Sequence, residues 1–567
     1  MPPIKQLFIW LFVLILAIIF VLGSSAYNLA NQKSDYAHFS SPDETANYFF
    51  TKLYAKTGEL SVMENYNLVA SDIVHPRSFR SDWGWLKPVS FLGIILIFGT
   101  IAKVLGLGII PFLLPIFGAI GIIFFYLLVN KLFSSRRIAL ISAALLTFFP
   151  VYIYYSARSM FHNVLFIVLT IIALYFLVYL LEKKTKSAGE RSKFFSWNFS
   201  DRDFICAALS GSFFGLALMT RLSELLWLGP ALFLVFVFYL RRFNIFRLTI
   251  LLSFFILALL PMAYWNQALY GSLTSGGYTE MNQSLSSIVT ISTNSGFSLG
   301  EAAKKVGQTI FYFGFKPQQS IKMFYNYVVL MFPWLAGLAA LGFVCLVANF
   351  RKFKKKYLVY LLTWAFLSVI LILYYGSWKF TDNPDPRRFT IGNSYTRYWL
   401  PVYLGLIPLA AYFIDRFSRF IAWKSTIIRS ALSFLAVFAV FLYSTIFVMF
   451  GSEEGLVNVT YSNRVDYTLY QEVISLTPPH AVIITRYHDK VLFPERRVLM
   501  GLFNDDQMNG LYARLAKVAP LYYLNFTFKD KDFEYLKTRK LPTFGLDIEL
   551  VKVINKDFAL YKLSLKK

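Results

Sequence analysis

The sequence predicts an all-α polytopic membrane bundle of about 11–12 transmembrane helices, followed by a small C-terminal α/β domain. Three observations lead there. Of 567 residues, 57% are hydrophobic, and the apolar runs reach the roughly 20 residues a bilayer-spanning helix needs. Basic residues concentrate in short loops between those runs. After Gly451 the long apolar runs stop, charge content rises, and short β-type runs alternate with polar helical stretches.

The first run, "LFIWLFVLILAIIFVLGSSAY", is too long for a typical cleaved signal segment and reads as a retained span with a cytoplasmic N-terminus. A net charge of +25 would suggest a nucleic-acid partner in a soluble protein. Here much of the excess lies in "KLFSSRR" (131–137), "EKKTKSAGERSK" (182–193), "RRFNIFR" (241–247) and "RKFKKK" (351–356), as expected of cytoplasmic loops. No nucleic-acid partner is expected. Alternation between those loops gives spans near 7–27, 111–129, 138–155, 163–181, 204–220, 224–240, 248–266, 324–349, 357–376, 398–414 and 430–450. The segment "VSFLGIILIFGTIAKVL" (89–105) breaks this parity: a full span would turn either the 131–137 loop outward or the loop after the first span inward.

Residues 1–450 are therefore expected to form the transmembrane domain, with larger outer regions at 28–88, carrying an interfacial helix, and at 267–320. Residues 451–567 form the soluble extracytoplasmic domain, with strands in "AVIITR", "PLYYLNF", "IELVKVI" and "FALYKLSL" and helices in "DYTLYQEVISL" and "MNGLYARLAKV". Cys206 and Cys345 both lie in apolar runs, which points to neither a disulfide framework nor a thiolate metal site. The Gly/Ser-rich stretch from 270 onward reads equally as a flap or a linker. Asn282, Asn458 and Asn525 fall in N-x-S/T triplets.

The candidate chemistry begins at Ser41-Pro42-Asp43-Glu44. Ser at the N-cap, Pro at the first helical position and Glu three residues after the cap predict a helix start closed by a capping box. Ala46, Phe49, Phe50 and Leu53 then give that helix an apolar face, suited to the membrane surface. Adjacent helical residues point about 100° apart, so one carboxylate caps and at most one faces a substrate. Asp43 is the candidate for chemistry.

Arg158 in "YYSARSMFHN", Arg221 in "GLALMTRLSELLW" and Arg397 in "NSYTRYWLPVY" all fall at the outer ends of predicted spans. A single arginine there anchors lipid phosphates, whereas three on the face that carries Asp43 suit a bound phosphate, whose oxygens the guanidinium fork matches.

These residues carry a resemblance. The acidic pair after the first span, the Tyr154-x-x-x-Arg158 element, the "GLAL-x-T-R" turn and the "RYWLPVY" helix start resemble the GT-C superfamily of integral-membrane glycosyltransferases, especially its protein O-mannosyltransferase and lipid A aminoarabinose transferase branch. The resemblance covers roughly residues 1–450. It implies an inverting transfer of a sugar from a polyprenyl-phosphate carrier to a glycan, lipid or protein acceptor on the extracytoplasmic side of the cell membrane. Asp43 takes the role of base, with Glu44 its helix-start partner. The carrier phosphate falls to Arg221 and Arg397, and then to Arg158, with Tyr398 and His75 as further substrate-binding candidates. Related sequences often show a Pro-Pro-Leu element before the second apolar segment; "HPRSF" (75–79) and "LKPVSF" (86–91) stand here, which leaves the role of His75 open. No cofactor is required by such chemistry. A divalent metal would be compatible, but His38, His75, His162, His480 and His488 are scattered, and only His75 with Asp72 or Glu64 suggests a loop site.

The main alternative is a transporter or flippase of lipid-linked sugars. Against it stand the lack of an internal repeat and the gathering of charged candidates on one side instead of at mid-membrane. A non-catalytic scaffold would tolerate loss of Asp43.

Overall fold

The computed structural model describes residues 3–31, 39–182, 201–274, 276–278, 314–348, 354–383, 385 and 387–566. Residues 183–193 of the loop at 182–193, His38, Asn282 and most of the 267–320 region thus lie outside the described residues. The chain forms two compact units: Met1–Asn28, Pro111–Trp265 and Thr279–Asn458 make the first, and Leu29–Ile110, Asn266–Tyr278 and Val459–Lys567 the second.

Nine helices among the described residues are long and apolar enough to cross a membrane, or up to eleven if each of two bent pairs is one span. The bends sit at prolines, which cannot donate to the preceding turn and clash with it. Arg136–Thr147 and Pro150–Ala157 meet at 51°, and Pro317–Leu330 and Pro333–Ala348 at 96°, so the stretch expected as one span at 324–349 is sharply broken. Elsewhere in the first unit, helices approach closely through small residues. Gly211 and Gly215 let the helix Asp201–Thr220 lie against the backbone of Ile245–Tyr270: a Cβ on Gly211 would stand 2.1 Å from the Leu251 carbonyl oxygen.

In the second unit, the segment that broke the parity is the 13-residue helix Gly93–Leu105. At 1.5 Å per residue it is about 20 Å long, short of the roughly 30 Å hydrocarbon core. It packs on the helix Pro42–Thr57, whose Ala46 and Phe50 are buried in protein, and Gly99 permits close approach to Tyr54. Of the apolar face expected to meet the membrane, Ala46 and Phe50 are thus covered within their own unit, while Phe49 and Leu53 stay partly exposed.

Strands β1 (Val62–Met63), β2 (Phe79–Asp82) and β3 (Trp85–Pro88) form a small antiparallel sheet in the order β1-β3-β2. Strands β4 (Val482–Thr485), β5 (Arg497–Met500), β6 (Leu521–Phe526), β7 (Leu546–Val553) and β8 (Phe558–Leu565) form a mixed sheet in the order β5-β4-β6-β8-β7. β4 runs parallel to β5 and β6, and β8 antiparallel to β6 and β7. The four expected strand runs correspond to β4, β6, β7 and β8; β5 is not among them. The core of this sheet is built from Val482, Ile484, Leu521, Tyr523 and Leu563, and it takes in Ala70 and Val74 from the loop region after the first span.

Candidate functional site

The carboxylate segment is held from the C-terminal region. Ser41 stands at the N-cap with extended backbone, but its hydroxyl makes no capping bond; the first intrahelical bond runs from the Thr45 N–H to the Ser41 carbonyl, 3.1 Å. Glu44 is buried, while Asp43 is half-buried and accepts a 2.6 Å hydrogen bond from the Ser78 hydroxyl. Ser78 itself has φ +64°, a left-handed conformation that a non-glycine residue holds only where its surroundings fix it. The fixing comes from its neighbour. The Arg77 backbone N–H and guanidinium all donate to Asp489, at 2.6–3.2 Å, and the Asp489 side chain is 0% exposed. On the other flank the Lys490 ammonium donates to the Ser40 carbonyl. Phe49, Phe50, Phe79 and Phe493 pack between these polar ties, with ring centroids 4.9–5.5 Å apart.

His75 points a ring nitrogen at the Pro76 carbonyl, 2.9 Å. Its two suggested partners are engaged in the fold. Asp72 accepts from the Ser81 hydroxyl and the Trp83 and Gly84 N–H groups, and Glu64 pairs with Arg497. Burial opposes ionisation of Asp72, but those hydrogen bonds and nearby His75 outweigh it, so the carboxyl is held below its usual range. Asn525 is buried with its amide on the Tyr523 hydroxyl, 2.7 Å, which removes it as a modification site.

His488, beside Asp489, is buried edge-on against Phe558. Burial first, then Lys490 and Arg77, push its imidazole down to about 4, while Asp489 opposes them. The unfolded chain, with an ordinary value near 6.5, therefore binds the proton first, and stability is lost as pH falls from about 6.5 to about 4. His488→Gln is expected to flatten the dependence of Tm on pH across that window, as read by thermal unfolding between pH 4 and 7.

In the first unit, three segments deliver the three arginines to one place. Arg158 follows the helix Pro150–Ala157 and donates to the Tyr154 hydroxyl one turn back, 2.9 Å, which is the purpose of the four-residue spacing. Its guanidinium lies 4.9 Å from the Phe161 ring, and that of Arg397 lies 4.7 Å from the same ring. Arg397 is 5.2 Å from the Tyr398 ring, and Arg221 is 4.9 Å from it. Three cations are thus strung along two aromatic rings, Phe161 and Tyr398. Arg158 and Arg221 are each 7% exposed.

The three are not equivalent. Arg221 is bound to Glu224 at 2.7 Å, and Glu224 also accepts from the Tyr375 hydroxyl and the Trp227 indole. Its charge is balanced within the fold. Tyr375 stacks on Tyr398 at 4.3 Å, so this network fixes the ring that faces Arg397. Arg397 donates to the Ser394 hydroxyl, 2.8 Å, and Ser394 in turn is bonded through its N–H and hydroxyl to Asp382. Asp382 therefore braces Arg397 through Ser394. From the other side, the Tyr155 hydroxyl reaches the carbonyls of Ile391, Gly392 and Asn393. Thr390 donates to Glu454, whose carboxylate fills the space a Cβ on Gly392 would need. Burial raises the Glu454 carboxyl above its usual range, against the bond from Thr390 and the attraction of Arg158.

Sequence reasoning named Arg158, Arg221, Arg397 and Tyr398 and missed Phe161, Glu224, Asp382, Glu454 and Asp489. Glu224 stood three residues after Arg221, a legible helical spacing. Asp489 gave no signal, being 412 residues from Arg77. Among the described residues no three His, Cys, Asp or Glu side chains gather into a group that could hold a metal ion.

No protein-family model and no curated protein sequence matches the chain. Solved structures do. The oligosaccharyltransferase of Archaeoglobus fulgidus, in its apo form, superposes with a TM-score of 0.54 at 13% identity, covering 94% of this chain and 71% of that one. The same enzyme in complex with zinc and sulfate gives 0.50 at 13%, covering 92% and 68%. ArnT from Cupriavidus metallidurans, bound to undecaprenyl phosphate, gives 0.54 at 13% and covers 98% of both chains. Identities this low establish fold alone, and at that level the expected resemblance holds: the chain has the GT-C fold shared by oligosaccharyltransferase and ArnT.

Proposed function

We propose that the protein is a glycosyltransferase that moves a sugar from a polyprenyl-phosphate carrier to an acceptor on the extracytoplasmic side of the membrane. The carrying observation is the string of Arg158, Arg397 and Arg221 along Phe161 and Tyr398, on a fold whose solved examples include an oligosaccharyltransferase and an ArnT bound to undecaprenyl phosphate. In the proposed reaction an acceptor hydroxyl attacks the anomeric carbon and gives its proton to Asp43. The bond from that carbon to the phosphate oxygen breaks with inversion, and the carrier phosphate departs with the electron pair. Arg397 and Arg158 stabilise the charge that grows on it. Arg221, neutralised by Glu224, serves by holding Tyr398. Glu44 stays with the helix start, and His75 with the loop that presents Ser78. The step as proposed requires no cofactor, and a divalent metal would be compatible with it.

The test is transfer of radiolabelled sugar from polyprenyl-phosphate donors in membranes carrying the protein. Absence of transfer with every donor, together with protein-dependent movement of lipid-linked sugar across vesicles, would favour the transporter reading. Arg397→Gln is expected to lower kcat/KM by about 10- to 100-fold, the loss of one charge-assisted contact to the leaving phosphate. Arg397→Lys should recover only part, since an ammonium lacks the fork. For sidedness, a cysteine at exposed Lys556 is expected to react with an impermeant thiol reagent from outside the intact cell.

A further inference from the structure

The most basic part of the chain plays no role in the proposed reaction, and three of its loops converge. Lys131, Arg242 and Lys354–Lys356, from those three loops, line one cavity of about 510 Å³ between the helices Ile110–Phe133, His162–Glu182, Leu225–Tyr239, Lys355–Gly376 and Leu400–Ile421, which opens to the protein surface. The interior is apolar, walled by Phe125, Ile167, Leu174, Leu232 and Leu404. The mouth carries Lys131, Arg242, Lys354, Lys355 and Lys356, and no carboxylate stands among the described lining residues.

These cations are placed, not splayed. Lys356 donates to the Lys131 carbonyl and the Ser134 hydroxyl at 2.7 and 2.6 Å. Lys355 donates to the Phe238 carbonyl at 2.7 Å and lies over the Tyr239 ring. Lys131 lies over the Tyr179 ring at 4.4 Å. An apolar slot of this volume is large enough for a small ligand or a lipid chain, and a ring of cations at its opening selects an anion there.

We propose that this cavity binds one anionic phospholipid, with an acyl chain in the slot and the headgroup phosphate among Lys131, Arg242 and Lys354–Lys356. Five positive charges at one mouth fit an anionic headgroup and disfavour a zwitterionic one, and the basic loops are those the sequence assigns to the cytoplasmic leaflet, where anionic lipids attract juxtamembrane lysines. The site is separate from the Arg158 and Arg397 cluster in both residues and ligand, and does not depend on the transferase reading.

The experiment is native mass spectrometry of the full-length protein in detergent, titrated with phosphatidylglycerol or with phosphatidylcholine of the same chains. Wild type should retain one phosphatidylglycerol with at least about tenfold preference. The triple change Arg242→Gln, Lys354→Gln, Lys355→Gln should weaken it by about 100-fold, each cation contributing near fivefold. Leu174→Trp, which fills the slot and leaves the cations, should lower retention of both lipids; the triple variant, altered only at the mouth, decides the matter if Leu174→Trp fails to fold. Equal retention of phosphatidylcholine, or unchanged binding by the triple variant, would overturn the proposal. So would stoichiometric displacement of phosphatidylglycerol by undecaprenyl phosphate, which would give the slot to the carrier.

Discussion

Asp43→Asn is expected to lower sugar transfer by about 10²- to 10⁴-fold while leaving donor binding nearly unchanged, because the amide keeps the hydrogen bond from Ser78 but takes no proton. The substitution is nearly isosteric at a half-buried position, so thermal stability should stay within a few degrees of wild type. Single-turnover transfer and equilibrium binding of the carrier, measured on the same preparation, separate the two effects. A variant that retained full transfer would reduce Ser41-Pro42-Asp43-Glu44 to a helix start. A variant that lost binding as well as transfer would move Asp43 from proton acceptor to donor contact.

The second large effect is expected at a residue that acts on the proposed base through Arg77 and Ser78. Asp489→Ala removes the acceptor for the Arg77 backbone N–H and guanidinium, and with it the tie that holds Ser78 in its left-handed conformation. Hydrogen bonds to a charged group contribute about 1.5–3 kcal/mol each, and because Arg77 is 41% exposed, water takes up part of that loss, leaving about 2 kcal/mol overall. The measurement is the midpoint of thermal or denaturant unfolding. A positioning role makes a further demand that mere destabilisation does not. At a temperature where both proteins are folded, kcat should fall at least tenfold with KM for the donor little changed, and Asp489→Glu should recover part of it. Equal loss of folded protein and activity, with normal kcat per folded molecule, would make Asp489 structural only.

Much of the architecture was readable because membrane helices obey one strong rule: length and apolarity suffice to reveal them. The same rule says nothing of where a helix breaks inside a run, so the 96° bend at Pro333 needed the structure, although the proline itself was visible. Parity placed 89–105 in doubt for a sound reason, since Gly93–Leu105 is apolar enough to span and too short to do so. Among site residues, the arginines stood out because a charge in an apolar context is costly and therefore informative. Phe161 did not: one more phenylalanine among 59 carries no signal until it is found between two guanidiniums. The expected capping box is not completed at Ser41, whose hydroxyl makes no capping bond, and Glu44 is buried.

The sheet core that unites Ala70 and Val74 with Val482, Ile484 and Leu563 also has a consequence in time. The ribosome makes the first two residues more than 400 positions before the others. Throughout that interval Ala70 and Val74 lack these partners, and Arg77 has no Asp489. Contacts so distant in sequence form late and leave surfaces open to misassembly. Translation that stops before β4 would therefore release a chain with its long apolar helices complete and its proposed base unsupported, and quality control would meet that chain as an unfinished protein.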